Sequence, residues 1–422
     1  MRRGELTDIK IMEYGFYIFV IFLFIGYTTF FKFIGLYIPA TFFILRTLLT
    51  ERCYRFWRSP VFVCLALLAF SGLLSTLFAE DPVESLYYFE KYYFRSFFIY
   101  LVIVSMFNKE AKLNKLLNLL AATSIIFIIL SFNVNLREIA ARGDIMRLEI
   151  TNYSGPLLYI MPFIILSIYA PTGKASWKLL WLIILVLGIL AIILGGSRSP
   201  LFGIIVIFCV WLIYGRKELS ITIILIVLFC FFIIFFTAAK NMTVVKEHSR
   251  MLISPGRLAL LFNYTDVVRR HPFLGVGLDD KTMYKEQEYS REHIGGDEGS
   301  LPGIFQEIGG ASAAWRNLAV DSDNAPHNVF LGISVKQGLI GLSLHLTLLM
   351  VCVISIMRKI SNKTFSRYKG IGIALLSSFI GIYGVNALAT DIVMMRFAVV
   401  LGITGAYLHL DEGSFERNSE LG

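Results

Sequence analysis

The apolar residues of this chain fall in blocks of roughly 17–20, the length an α-helix needs to cross about 30 Å of hydrocarbon. These blocks recur through most of the 422-residue sequence. In lipid every backbone N–H and C=O must be bonded internally, so blocks of this length imply a bundle of helices. Composition agrees: 56% of residues are hydrophobic and 16% charged, against about 45–50% and about 25% in soluble globular chains. Disorder, collagen-like fibres and an ordinary cytosolic enzyme are excluded on the same figures. The expected fold class is an all-α polytopic membrane protein.

Twelve spans are expected, at 14–31, 33–49, 60–78, 92–107, 116–132, 154–170, 178–195, 200–215, 220–238, 328–357, 370–387 and 391–410. The first is too long in its apolar core, and too poor in a following cleavage site, to read as a removable signal. The connections beginning at Met1, Glu51, Asn108, Pro171, Arg216, Arg358 and Asp411 are short and mostly basic. Placing them in the cytoplasm satisfies the positive-inside rule and puts both termini inside. The formal charge of +9 is then an orientation signal and no argument for nucleic acid. The five cysteines form no CxxC or Cys/His cluster, so free thiols are expected, with neither disulfides nor zinc.

Three connections on the opposite, periplasm-like side are substantial. Residues 79–91 are acidic and aromatic, and 133–153 carry Arg137, Arg142 and Arg147. The largest, 239–326, is expected as a loop subdomain between spans 9 and 10 of a single bundle covering 1–422. Its part 257–270 has helical spacing, with Leu258, Leu261, Phe262, Val267 and Val268 as an apolar stripe. The Gly- and acid-rich remainder, including Gly295-Gly296-Asp297-Glu298-Gly299, reads as irregular.

Four groups of residues carry possible chemistry, all at this outer boundary. Gly195-Gly196-Ser197-Arg198-Ser199-Pro200 is either a tight hairpin with a snorkelling Arg or a fixed guanidinium at the membrane surface. Arg257 precedes the apolar stripe of a short helix that ends at Arg269-Arg270-His271-Pro272 and a Gly275-Val276-Gly277 turn. That turn lacks the strand and the GxGxxG or GK[ST] pattern of a nucleotide loop. His327-Asn328 stands at the mouth of a span, where it is either a helix start or a general base with pKa near 6.5. Lys336 lies further along the same apolar stretch, where an ammonium needs a partner, water or the interface. Asp391 and Arg396 open the last span, spaced so that they do not stack as an i,i+4 pair. Acidic residues Glu286, Glu288, Glu292, Asp297 and Glu298 form either a cation site or, more simply, a solvated loop.

In three of these segments the chain resembles the O-antigen ligase family, within the wider superfamily of O-antigen ligases, polymerases and related oligosaccharyltransferases. The carriers are His327-Asn328 with Gly338 and Gly341 downstream, the Arg198 turn, and Arg257 with the Pro272-Phe273-Leu274-Gly275-Val276-Gly277 close. The resemblance implies a GT-C-like fold, a glycan donor on undecaprenyl diphosphate and a lipid A–core acceptor. It implies His327 as catalytic base, Arg198 and Arg257 as diphosphate ligands, and Asn328, Lys336, Asp391 and Arg396 in support. No cofactor or metal is implied, because the donor carries its own diphosphate leaving group and cationic side chains can stabilise it. An O-antigen polymerase using the same donor is the nearest alternative. A protein-targeting oligosaccharyltransferase lacks support in a chain without an appended soluble domain. A polysaccharide flippase or transporter, from a different class, would more characteristically show internal repeats or broken helices near the midplane.

Overall fold

The computed structural model describes residues 3–23, 25, 28–50, 59–142, 151–169, 175–194, 198–215, 255–296, 326, 328–362, 368–385, 387 and 394–410. Among these the regular structure is helical, with no strand. The helices are α1 (Arg3–Leu23), α2 (Thr29–Thr50), α3 (Pro60–Leu77), α4 (Pro82–Phe89), α5 (Arg95–Met106), α6 (Glu110–Arg142) and α7 (Thr151–Tyr169). They continue with α8 (Ala175–Leu194), α9 (Arg198–Tyr214), α10 (Pro255–Arg270), α11 (Asp280–Gly296), α12 (Val329–Ser361), α13 (Lys369–Ser378) and α14 (Met394–Leu408). Short π-helical segments, Glu90–Phe94 and Phe379–Val385, join α4 to α5 and extend α13.

Helices overlie every expected span except 220–238, which lies outside the described residues. Pro60–Leu77, Glu110–Leu130, Ala175–Ile192 and Val329–Ser361 are long and apolar enough to cross a membrane. One large core runs through the bundle. In it α3 packs on α12, α5 on α14, and α7 against α6 and α8. Cys64, Cys209 and Cys352 are free thiols; Cys53 and Cys230 lie outside the described residues.

All three outer-side connections are in part helical, and 79–91 contains α4. Residues 133–142 continue α6 rather than leaving it. In the large loop, the segment read as irregular contains α11. Its start was signalled by Asp279, whose carboxylate accepts the Thr282 N–H at 2.6 Å in the manner of an N-cap. Residues 239–254 and 297–325 of this loop lie outside the described residues.

α10 and α11 form a hairpin with its own small core of Leu260, Tyr264, Val267, Val276 and Met283, completed by Val335 of α12. Arg270 latches the pair. It reaches Asp266 at 3.1 Å and the Ser290 hydroxyl at 2.6 Å, pairs with Glu286, and stacks 4.7 Å from the Tyr289 ring centroid. The basic helix end is therefore a structural clasp, and it occupies one of the acids of the supposed cation patch.

The π-helical turn carries a second ion pair. Arg95 grips Glu90 through two nitrogens, Tyr37 donates its hydroxyl to the same carboxylate, and the guanidinium stacks 4.6 Å from the Phe33 centroid. Burial by itself would raise the Glu90 carboxyl, but Arg95 and Tyr37 outweigh it and hold the group below its usual range. A depressed carboxyl adds stability above its unfolded pKa and loses that contribution as pH falls through the folded value. The melting-temperature deficit of Glu90→Gln relative to wild type is thus expected to be full above about pH 5 and to vanish in acid. A deficit that stays constant with pH in purified protein would contradict this assignment.

Candidate functional site

α12 is not one straight span. At Gly338 the backbone turns to φ 65°, ψ −169°, a region essentially restricted to glycine. The limb 329–337 folds back on the limb 339–361. The rings of Phe330 and His345 lie 6.3 Å apart, where a straight helix would separate these positions by about 22 Å. The expected span 328–357 is therefore corrected to a short limb and a membrane-length one. The two run together in hydropathy because 329–335 is as apolar as the limb 339–361.

Breaking a helix frees backbone groups that must be bonded elsewhere. Here the loop 272–277 takes them up. The Val276 N–H donates to the Val335 carbonyl at 2.9 Å, the Gly277 N–H to Lys336 at 3.3 Å, and the Leu339 N–H to Pro272 at 2.7 Å. The Ser75 hydroxyl of α3 adds a bond of 2.5 Å to the Lys336 carbonyl. The approach is so close that a Cβ on Gly338 would overlap the Phe273 carbonyl. One on Gly275, at φ 70°, would stand 2.5 Å from the Gln337 nitrogen. Two segments far apart in sequence, 272–277 and 336–341, thus form one elbow, and the spacing of their glycines is what lets the backbones touch.

A cavity of about 230 Å³ opens beside the short limb. Tyr92 and Tyr93 from the π-helical turn form one wall, Asp280 and Tyr284 from α11 another, and Lys336 lines the limb side. The Lys336 ammonium pairs with Asp280 and lies 5.2 Å from the Tyr92 ring centroid. This meets the expectation that a cation here needs a partner. Gln337, 1% exposed, donates from its amide to the Tyr93 hydroxyl and so sets that ring. Asp279 also accepts the Ser85 hydroxyl at 2.7 Å, tying α11 to α4.

The other expected residues are placed unevenly. The Asn328 side-chain oxygen accepts the Leu331 N–H at 3.1 Å and caps the short limb. Arg396 sits in the first turn of α14, its guanidinium 5.7 Å from the Tyr159 ring centroid. The contacts Phe330–His345 and His345–Phe397, the latter at 5.4 Å, bring the start of the short limb towards the start of α14. Arg198 opens α9 and Arg257 lies in the first turn of α10, but their side chains are outside those described. His327 and Asp391 lie outside the described residues.

Sequence reasoning passed over Tyr92, Tyr93, Tyr284, Asp280 and Gln337. The tyrosines stood in view as aromatic pairs, and Asp280 adjoins the helix-capping Asp279. Nothing local tied them to Lys336.

Residues 183–346 match the family model described as O-antigen ligase. This stretch of the chain is similar to the O-antigen ligase family. The matched stretch is less than half of the sequence. It takes in Arg198, Arg257, His327, Lys336 and both halves of the elbow, and it ends before Asp391 and Arg396. A comparison with curated proteins gave no match. The matched stretch runs from apolar helices through the α10–α11 hairpin into α12, and α8 and α12 are among the helices long and apolar enough to cross a membrane.

Proposed function

We propose that the chain is an O-antigen ligase of lipopolysaccharide biosynthesis. It transfers a glycan from undecaprenyl diphosphate to a sugar hydroxyl of lipid A–core, in a GT-C-like bundle of twelve spans in the bacterial inner membrane. The carrying observation is the family match at 183–346, which holds every residue assigned to the chemical step. The basic loops and both termini face the cytoplasm, and the 239–326 loop caps the site on the periplasmic side.

His327 accepts the proton as the acceptor oxygen attacks the anomeric carbon. The bond from that carbon to the diphosphate oxygen breaks on the opposite face, and its electron pair leaves with undecaprenyl diphosphate. Configuration inverts. Arg198 and Arg257 neutralise the charge growing on the leaving group, a task suited to permanently charged forks of donors and needing no metal. Asn328 fixes the start of the limb behind His327. Lys336 lines the cavity, and Asp391 and Arg396 act in support by orienting the base.

Deleting the gene in its host and examining both lipopolysaccharide and the lipid-linked pool tests this reading. Loss of polymer from the core, with long undecaprenyl-linked chains retained, is expected. Single repeat units still attached to core would instead identify a polymerase. A core without polymer, with lipid-linked glycan trapped in the cytoplasmic leaflet, would point to a flippase.

A further inference from the structure

The tyrosine-walled cavity beside the short limb of α12 has a chemistry of its own. Its volume of about 230 Å³ is below the range of about 300–1,000 Å³ typical of pockets for drug-sized ligands. It suits a single ring. Tyr92, Tyr93 and Tyr284 line it, and aromatic rings are the surface that the C–H face of a pyranose covers. Asp280 from the α11 wall and Lys336 from the limb side meet as a pair, with side chains 32% and 16% exposed. Together they present hydroxyl acceptors and donors with no net charge. A phosphate would meet the Asp280 carboxylate, and an acyl chain would strip both ions of water. Burial and then the Asp280 carboxylate push the neighbouring Tyr88 phenol up to about 12, so it remains a protonated hydroxyl. Pro326 and Val329 close the cavity; in the chain they flank the His327-Asn328 pair.

We infer that this cavity is a monosaccharide subsite, holding one uncharged pyranose ring of a reacting glycan against Tyr92, Tyr93 and Tyr284, with Asp280 and Lys336 on its hydroxyls. The ring belongs either to the acceptor core or to the first sugars of the lipid-linked donor. The inference rests on the transferase reading for its place in the reaction. It stands separately as a binding site.

Two variants probe it from different walls. Tyr284→Ala removes a stacking face. Gly332→Leu fills the cavity: a Cβ at Gly332 would meet only Pro326, at 3.4 Å, and leucine is the better helix former. Purified full-length protein in nanodiscs is titrated with lipid-free core oligosaccharide from the host's lipopolysaccharide and, separately, with lipid-free O-unit glycan. Steady-state transfer is measured in parallel. Each variant is expected to weaken binding of one of the two glycans, and to raise KM for the substrate carrying it, by about tenfold, with kcat changed far less. A response to core oligosaccharide assigns the ring to the acceptor, and a response to the O-unit assigns it to the donor. Wild-type glycan binding that both variants lose, in a protein without transferase activity, would uphold the subsite and defeat the transferase reading. Intact transfer with both KM values within twofold of wild type in Gly332→Leu would overturn the subsite and leave the transferase reading standing.

Discussion

Gly338→Ala is expected to insert normally in the membrane, to lose glycan transfer and to open the α10–α11 hairpin. The backbone at φ 65°, ψ −169° costs a residue with a side chain about 1–3 kcal/mol. The new Cβ would also overlap the Phe273 carbonyl. Relief requires the loop 272–277 to move away, and that breaks the three main-chain bonds to Val335, Lys336 and Leu339. Each is worth about 0.5–1.5 kcal/mol net, and more if a freed group stays buried. The sum, several kcal/mol, is comparable with the whole stability of a typical domain. It is concentrated at one joint, because the packing of α5 on α14 does not pass through Gly338. Faster hydrogen exchange confined to α10, α11 and the short limb is the expected signature. Gly155→Ala is the control: a Cβ there meets nothing within 4 Å, so exchange and transfer should match wild type. Wild-type protection of α10 and α11 in Gly338→Ala would contradict the elbow.

His327→Ala is expected to lower kcat by about 10²–10⁴, the usual contribution of a positioned base, with expression, insertion and melting temperature unchanged. In wild type, kcat should fall as pH drops through the imidazole range near 6.5, since only the neutral ring accepts a proton. The variant should lose that limb of the profile. Arg198→Ala and Arg257→Ala should each cost about 10²–10³ through unneutralised charge on the departing diphosphate, while leaving the limb in place. A His327→Ala protein that transfers at the wild-type rate would remove the base assignment.

The parts of the fold legible in sequence are those that lipid dictates. A segment crossing hydrocarbon must be helical and apolar over nearly its whole length, so α3, α6, α8 and their neighbours announce themselves. α10 was visible through its apolar stripe, and Lys336 through the cost of an unpaired ammonium in an apolar stretch. The fold-back of α12 was hidden because turning at Gly338 changes no hydropathy: Leu331 and Val335 are apolar for packing with the α10–α11 hairpin, and read like lipid-facing residues. The polar Lys336-Gln337 pair just before Gly338 was the one local hint. α11 was lost because the Gly-rich run beyond it drew the eye from the Asp279 cap. The cavity was illegible for another reason. Tyr92, Asp280 and Lys336 meet only through the elbow, and no local pattern records a contact across such separations.

The central claim is that the chain joins a lipid-linked glycan to lipid A–core. Its most direct measurement is transfer by the purified protein in liposomes holding undecaprenyl-diphosphate-linked host glycan and host lipid A–core, with and without a divalent-metal chelator. The account predicts glycan-bearing lipid A–core and released undecaprenyl diphosphate in equal amounts, unaffected by the chelator and absent with His327→Ala. Unmodified lipid A–core beside lengthened undecaprenyl-linked chains would contradict it.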